Sequence, residues 1–451
     1  MDVDLFLVML AVAVPVLWLL QAIYHRWGGA NLLVPAMMVQ SYWFDVGFSL
    51  KPYLVLGSLL LAGLLMQPKN GLRLQHVVDV FRPIFLPFTL MVILMLFATL
   101  IGDSGMRAIR HILLLGWGWI IVGSFVAYCP NKEFAYRVHS VQASTLLLMG
   151  LAGCLGYGFY IGGVEWVASS RQGMGLIYQE INDMYGRLRL YCLDPNHLAT
   201  FLVPLLLTTV GYHFYQKEIK TNRKISALAI LTGLTTLVLT FSRGGLIGAS
   251  IGSLFFILLA PGKARKIRNI CLAVVVATLL LLLVAPDSFI KGVESRYTFR
   301  SSFGAEDTGR IALWLKAVDV IQSNTWFGVG QGQLPEYTNH QAHNTFLELF
   351  AENGVFTFAC FLIILIIVLI KGVKVSKQLF ARGSPEAYLM LGAVSGLVGM
   401  STMLMSISLF TEIFFWFQLC MVLLFAKIYQ PTTLPTINAL PLLANNGTRN
   451  E

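Results

Sequence analysis

"FTFACFLIILIIVLI", residues 356–370, runs for 15 residues without a charge, a proline or a glycine. It approaches the roughly 20 residues with which a helix crosses the hydrocarbon core of a bilayer. Similar runs recur along the chain: "FLVMLAVAVPVLWLL", "FLPFTLMVILMLFATLI" and "CLAVVVATLLLLLVA". Of the 451 residues, 57% are hydrophobic and 12% charged, which is too little polar surface for a soluble protein of this length. The runs are continuous rather than alternating, so the spans are helices and not barrel strands. The fold class is therefore all-α: a polytopic transmembrane helix bundle of about 12 helices with one long loop, residues 287–352, containing short amphipathic helices.

The predicted spans are 3–24, 52–67, 82–103, 110–128, 141–163, 197–216, 224–241, 245–260, 269–286, 353–371, 385–408 and 412–428. The segment 28–48 is either a further short span or an interfacial stretch, because Tyr42, Trp43, Asp45 and Lys51 interrupt it. "MDVDLFLVML" has no basic segment and no small-residue cleavage site, and reads as a first membrane helix rather than a removed leader. The organisation is 1–164, N-terminal transmembrane helices; 165–286, central helices with an arginine-bearing loop and a tight turn; 287–352, the long loop; 353–428, C-terminal helices; and 429–451, a tail.

The net charge of +10 is not spread as a nucleic-acid surface would spread it. It bunches in short loops: Lys217, Lys220, Arg223 and Lys224; Lys263, Arg265, Lys266 and Arg268; Lys371, Lys374, Lys377 and Arg382. That is the positive-inside signal, so those loops and the tail are expected in the cytoplasm and the segments between them outside. A loop holding Arg107, Arg110 and His111 would then face outward, against the rule. The six cysteines form no CxxC pair, and neither a disulfide framework nor a metal site is expected.

Arginines on the outward side need a reason. Arg243 lies in "FSRGG", where Gly244 and Gly245 permit a tight reversal; it is either a snorkelling interface residue or a functional one. Arg187 and Arg189 lie in "YGRLRLYCLDPNHLA". There Asp194 can cap the next helix and Pro195 suits its first position, so capping accounts for "DPN". It does not account for the arginines, whose forked donors suit phosphate oxygens. Arg310 opens "GRIALWLKAVDVIQ", an amphipathic helix with an apolar stripe of Ile311, Trp314, Val318 and Ile321, resting on the membrane or on the bundle. Trp314 reads as a packing residue. "FGVGQG", residues 327–332, lacks the ending of a phosphate loop and reads as a flexible turn.

The long run itself is preceded by "QAHNTFLELFAENGVF", residues 341–356. Thr345 and Glu348 fit a capping box, placing a helix start near Thr345 and His343 just outside it. A helix N-terminus disfavours a protonated imidazole, so His343 is kept able to accept a proton. Glu348 and Glu352 share one face, read as a solvated face or as partners for arginines. Outward arginines together with this histidine suit a reaction in which a lipid-bound diphosphate is held and a hydroxyl is deprotonated.

These motifs, in this order, resemble the O-antigen ligase and O-antigen polymerase superfamily of bacterial inner membranes. They are Arg187 ahead of Pro195-Asn196; Ser242-Arg243-Gly244-Gly245; Gly309-Arg310 with Trp314; "FGVGQG"; and His343-Asn344 through Gly354. The resemblance implies glycan transfer from undecaprenyl diphosphate to an acceptor sugar on the periplasmic side, without a metal and with inversion at the anomeric carbon. It assigns His343 as the catalytic histidine, accepting the acceptor's proton or orienting it. Arg187, Arg310 and Arg243 become the donor-diphosphate residues, with Arg189, Asn344 and Glu348 in support. No cofactor is implied, because the leaving group is already activated. The implied partners are the undecaprenyl-diphosphate-linked glycan, an acceptor glycan that is lipid-linked or lipid A–core, the bilayer, a chain-length regulator and a flippase; nucleic acid is not among them. Polymerisation of an exopolysaccharide or O-antigen is the first expectation. Ligation to lipid A–core is the alternative, a protein O-oligosaccharyltransferase a third relative, and a transporter or flippase of polyisoprenoid-linked sugars the reading from a different class.

Overall fold

A computed structural model describes residues 28–31, 33–37, 44–45, 49–66, 70–102, 105–164, 168–169, 176–178, 186–192, 194–262 and 305–430. Two four-residue helices, α1 (Gly28–Asn31) and α2 (Leu33–Ala36), precede a pair of two-residue strands, β1 (Phe44–Asp45) and β2 (Ser49–Leu50). The described part of 28–48 is thus no single span. Helices α3 (Pro52–Leu65), α4 (Asn70–Phe81), α5 (Phe85–Ile101), α6 (Gly105–Ala127) and α7 (Lys132–Ile161) follow. Strands β3 (Ala168–Ser169), β4 (Ile177–Tyr178) and β5 (Arg187–Leu188) form a small sheet in which Tyr178 pairs with Arg187. The chain continues through α8 (Pro195–Glu218), α9 (Lys224–Leu239), α10 (Arg243–Leu259), α11 (Ala305–Ser323), α12 (Leu334–Thr338), α13 (Thr345–Ala381), α14 (Glu386–Met403) and α15 (Ile413–Tyr429).

This is a helical membrane protein. Among the described residues five helices are long and apolar enough to cross a membrane: Arg73–Ile101, Ala108–Ala127, Lys132–Ile161, Pro195–Glu218 and Thr345–Ala381. Pro52–Leu65, Lys224–Leu239, Arg243–Leu259 and Ile413–Tyr429 are shorter apolar helices. The expected spans 3–24 and 269–286, the basic loop at 263–268 and residues 431–451 lie outside the described residues. The two-residue strands leave the all-α class intact: extended loop segments satisfy their backbone groups by pairing with one another. Arg107, Arg110 and His111 are not in a loop either; they belong to the first turns of α6.

Small residues bring α8, α10 and α14 into backbone contact. A Cβ on Gly211 would stand 2.4 Å from the Tyr388 carbonyl oxygen and 2.9 Å from the Gly392 Cα. On Gly252 it would stand 2.7 Å from the Ser395 oxygen, and on Gly248 2.7 Å from that of Gly399. Between helices in lipid, close packing of this kind replaces the hydrophobic drive that water would supply. The centre of the bundle is filled by Trp416, which packs on Trp119, Phe361 and Phe410 and donates its indole N–H to the Phe410 carbonyl at 2.7 Å.

Helix α13 is broken at Gly354, where φ is 75° and ψ 177°. The break is the docking place of "FGVGQG". Backbone bonds run from Val329 N to Ala351 O (3.0 Å), Gly330 N to Glu352 O (2.8 Å) and Val355 N to Thr325 O (2.9 Å). Gln331 donates to Glu352 at 2.8 Å and accepts from Asn353 at 2.9 Å. The expected flexible turn is therefore a docked one, and its glycines are there because backbone meets backbone: a Cβ on Gly354 would lie 2.1 Å from the Trp326 oxygen. Gly354→Ala should lower stability by at least about 1–3 kcal/mol for the left-handed backbone alone. It should cost more than Gly383→Ala, whose φ is also positive (+67°) but which faces open space. Thermal midpoints of the two variants in detergent, compared side by side, check this; equal midpoints would mean that the close approach carries no cost.

Helix α11 lies on the bundle, not away from it. Its buried contacts are Ala317 and Val320, which pack with Val329, Leu334, Ala342 and Ala351. Trp314 donates to the Ala342 carbonyl at 2.8 Å, in keeping with a packing role. Ile311, expected in the apolar stripe, is 48% exposed, because the face that α11 buries runs through Trp314, Ala317, Val320 and Ile321, about a residue round from the stripe.

Candidate functional site

One end of the bundle carries a cavity of about 770 Å³, within the usual range for ligand sites. The N-termini of α8 and α13, the first turns of α6 and the connection 404–412 converge there. Helices α8 and α13 lead from it to Lys217, Lys220, Arg223 and Lys224, and to Lys371, Lys374, Lys377 and Arg382. The cavity therefore lies at the opposite end of the bundle from the described basic clusters, of which Lys371, Lys374 and Lys377 lie within the last turns of α13 rather than in the expected loop.

Arg187 reaches the wall from β5. Its Nε donates to the Thr240 carbonyl at 3.1 Å and an Nη to Asn196 Oδ1 at 3.3 Å. The same Asn196 oxygen accepts from Ser242 Oγ at 2.9 Å. Arginine, "PN" and the "SRGG" turn thus form one hydrogen-bonded corner, though 55 residues of sequence separate Arg187 from Ser242. The turn can press in so closely because of its glycines: a Cβ on Gly244 would meet Ser406 Oγ at 2.3 Å, and one on Gly245 the Ala199 Cβ at 2.7 Å. Arg243 opens α10 beside this corner but is not among the residues that line the cavity. Arg189 is buried behind the wall, 5.9 Å from the Tyr178 ring centre. Burial lowers its guanidinium from the ordinary value, opposed by Tyr178 and Asp194.

Arg310, half-buried on α11, and His343 also line the cavity. His343 is left-handed, with φ 51°, in the residue before the cap of α13. That cap is Asn344 rather than Thr345: Asn344 Oδ1 accepts from Phe346 N at 3.1 Å and Leu347 N at 3.2 Å. Thr345 is instead bound to the 404–412 connection, its hydroxyl donating to Ile407 O at 2.6 Å and accepting from Leu409 N at 3.0 Å. Glu348 accepts from His343 N at 3.0 Å and from Ser408 Oγ at 2.6 Å. Glu348 and Glu352 both line the cavity rather than a solvated face. Glu352 is 6% exposed, because the docked "FGVGQG" turn covers it.

Four cavity elements escape a sequence reading. Residues 404–408 look like the end of a span, yet α14 stops at Met403, and Ser406 and Ser408, with Thr411 beyond them, face the cavity. His111 looks like a misplaced loop residue; its conflict with the charge rule was the signal. Glu412, 3.9 Å from Lys51, lines the wall ahead of α15. Asp194 caps α8 as expected but, with His197, also faces the cavity. Burial alone would lift the Asp194 carboxyl. The His197 ring and the N–H groups of Asn196 and His197 outweigh it and hold the carboxyl well below the usual carboxylate range.

Residues 228–362 match the family model Wzy_C, O-antigen ligase. The match covers that segment alone and supports a likeness to the O-antigen ligase/polymerase superfamily. No curated protein matches it. The matched O-antigen ligase segment runs from α9 into α13 and holds the "SRGG" turn, Arg310, the docked glycine turn and His343, whereas Arg187, Asp194 and His197 precede it. The match supports an enzyme of the ligase or polymerase type, acting by glycosyl transfer in polysaccharide synthesis.

Proposed function

We propose that this cavity transfers a glycan from undecaprenyl diphosphate to an acceptor sugar at the periplasmic face of the bacterial inner membrane, polymerising a surface polysaccharide, either an exopolysaccharide or an O-antigen. The observation that carries this is the meeting of Arg187, Arg310 and His343 in one cavity, at the bundle end away from the basic loops. Under the positive-inside rule that end faces outward.

The acceptor hydroxyl oxygen attacks the anomeric carbon as the bond from that carbon to the diphosphate oxygen breaks on the opposite face, so the configuration inverts. The electron pair leaves with undecaprenyl diphosphate, whose growing charge the two guanidinium groups stabilise. The hydroxyl proton passes to an imidazole of the cavity, and His343 faces the hydroxyl. A diphosphate is already a good leaving group, so neither a nucleotide nor a metal is called for. The lipid tail lies along the apolar helices.

A gene-deletion strain tests the reading. Single, unpolymerised lipid-linked repeats are the expected accumulation. Full-length polymer without core attachment would move the function to ligation onto lipid A–core, the reading that the description of the matched family favours. Purified protein that moves lipid-linked glycan across vesicles without forming a glycosidic bond would defeat both.

A further inference from the structure

Asp194 uses its two oxygens differently. Oδ1 accepts from the backbone N–H of Asn196 at 2.7 Å and of His197 at 3.2 Å, which caps α8. Oδ2 contacts Nδ1 of the His197 ring. A cap needs only the first oxygen. The second can only accept, so Nδ1 carries a proton, and in the neutral ring Nε2 is left with its lone pair. Nε2 makes no hydrogen bond to a described residue, and His197 lines the cavity with its side chain 16% exposed. A carboxylate on one ring nitrogen and a reactant space on the other is the arrangement that makes an imidazole a general base.

We propose that His197, oriented by Asp194, is the group that takes the proton from the acceptor hydroxyl. The proposal rests on the glycosyl-transfer reading of the cavity and assigns its base. As the new carbon–oxygen bond forms and the carbon–diphosphate bond breaks, the hydroxyl proton moves to His197 Nε2. The imidazolium is balanced by Asp194 and returns the proton to solvent through the open cavity. His343 then aligns the acceptor, and the guanidinium groups of Arg187, next to Asn196, and of Arg310 keep the leaving diphosphate.

Asp194→Asn is the informative variant. The two backbone N–H groups hold Oδ1 in place, so the amide nitrogen takes the position of Oδ2 and donates to Nδ1. The ring proton is forced onto Nε2, and no lone pair faces the hydroxyl, while the helix cap survives. Purified Asp194→Asn and His197→Gln are compared with the wild-type protein, using undecaprenyl-diphosphate-linked repeat units extracted from the deletion strain, with lipid A–core as acceptor in a parallel reaction. Both variants should lose about 10²-fold or more in kcat, with KM for the donor and the thermal midpoint unchanged. Wild-type kcat in either variant, or a loss that resides wholly in KM or in stability, overturns the assignment. The underlying reading fails by a different result: wild-type protein that transfers no glycan at all.

Discussion

Arg310→Ala should lower kcat for glycan transfer by about 10²–10³-fold, the usual effect of removing one preorganised donor from a developing anion. Arg310 is half-buried on the cavity wall. The packing of α11 on α13 runs through Ala317, Val320 and Trp314, not through Arg310, so insertion and thermal midpoint should stay near wild type. This makes it a cleaner probe than Arg187, whose removal also strips donors from the Thr240 carbonyl and Asn196. Arg310→Lys keeps the charge but loses the planar fork, and should recover only part of the rate. Steady-state rates with extracted lipid-linked repeats check both variants; full recovery by lysine would show that charge alone is recognised.

His343→Ala should lower kcat by about 10²-fold and raise KM for the acceptor, with membrane insertion intact. The structural duties at that corner belong to other groups. Asn344 caps α13, and Glu348 binds the His343 backbone N–H, which alanine retains. Normal transfer by this variant would remove His343 from the mechanism. Combination with His197→Gln separates the two imidazoles. Two groups acting on one hydroxyl behave as a unit, so the double variant should lose little more than the worse single one. A loss equal to the product of the two would mean that they act on different events.

Much of the site was legible because polar groups in an apolar chain stand out. Arg187, Arg310 and His343 each break a pattern, either the charge rule or the apolar stripe, and the cavity contains all three. What was illegible had a sufficient local explanation. Asp194 satisfied the capping rule, which is silent about its second oxygen. Glu348 and Glu352 satisfied i,i+4 spacing, which says that they share a face but not what covers it; residues 404–412 and the docked glycine turn do. Asn344 and Thr345 are both competent caps, and a partner more than 60 residues away, Ile407, decides between them by claiming the threonine hydroxyl.

The amino-acid sequence by itself determined that this chain enters a membrane and which of its segments are helices. Those properties depend on composition and on period along the chain, which are local quantities. Only the tertiary structure decided that β5, the "PN" cap and the "SRGG" turn share one oxygen of Asn196, that His111 and Glu412 reach the same space, and that His197 keeps an open nitrogen there. Contacts across tens of residues leave no period in a sequence. They are set by how closely glycine-lined helices approach, and that approach exists only once the bundle has assembled.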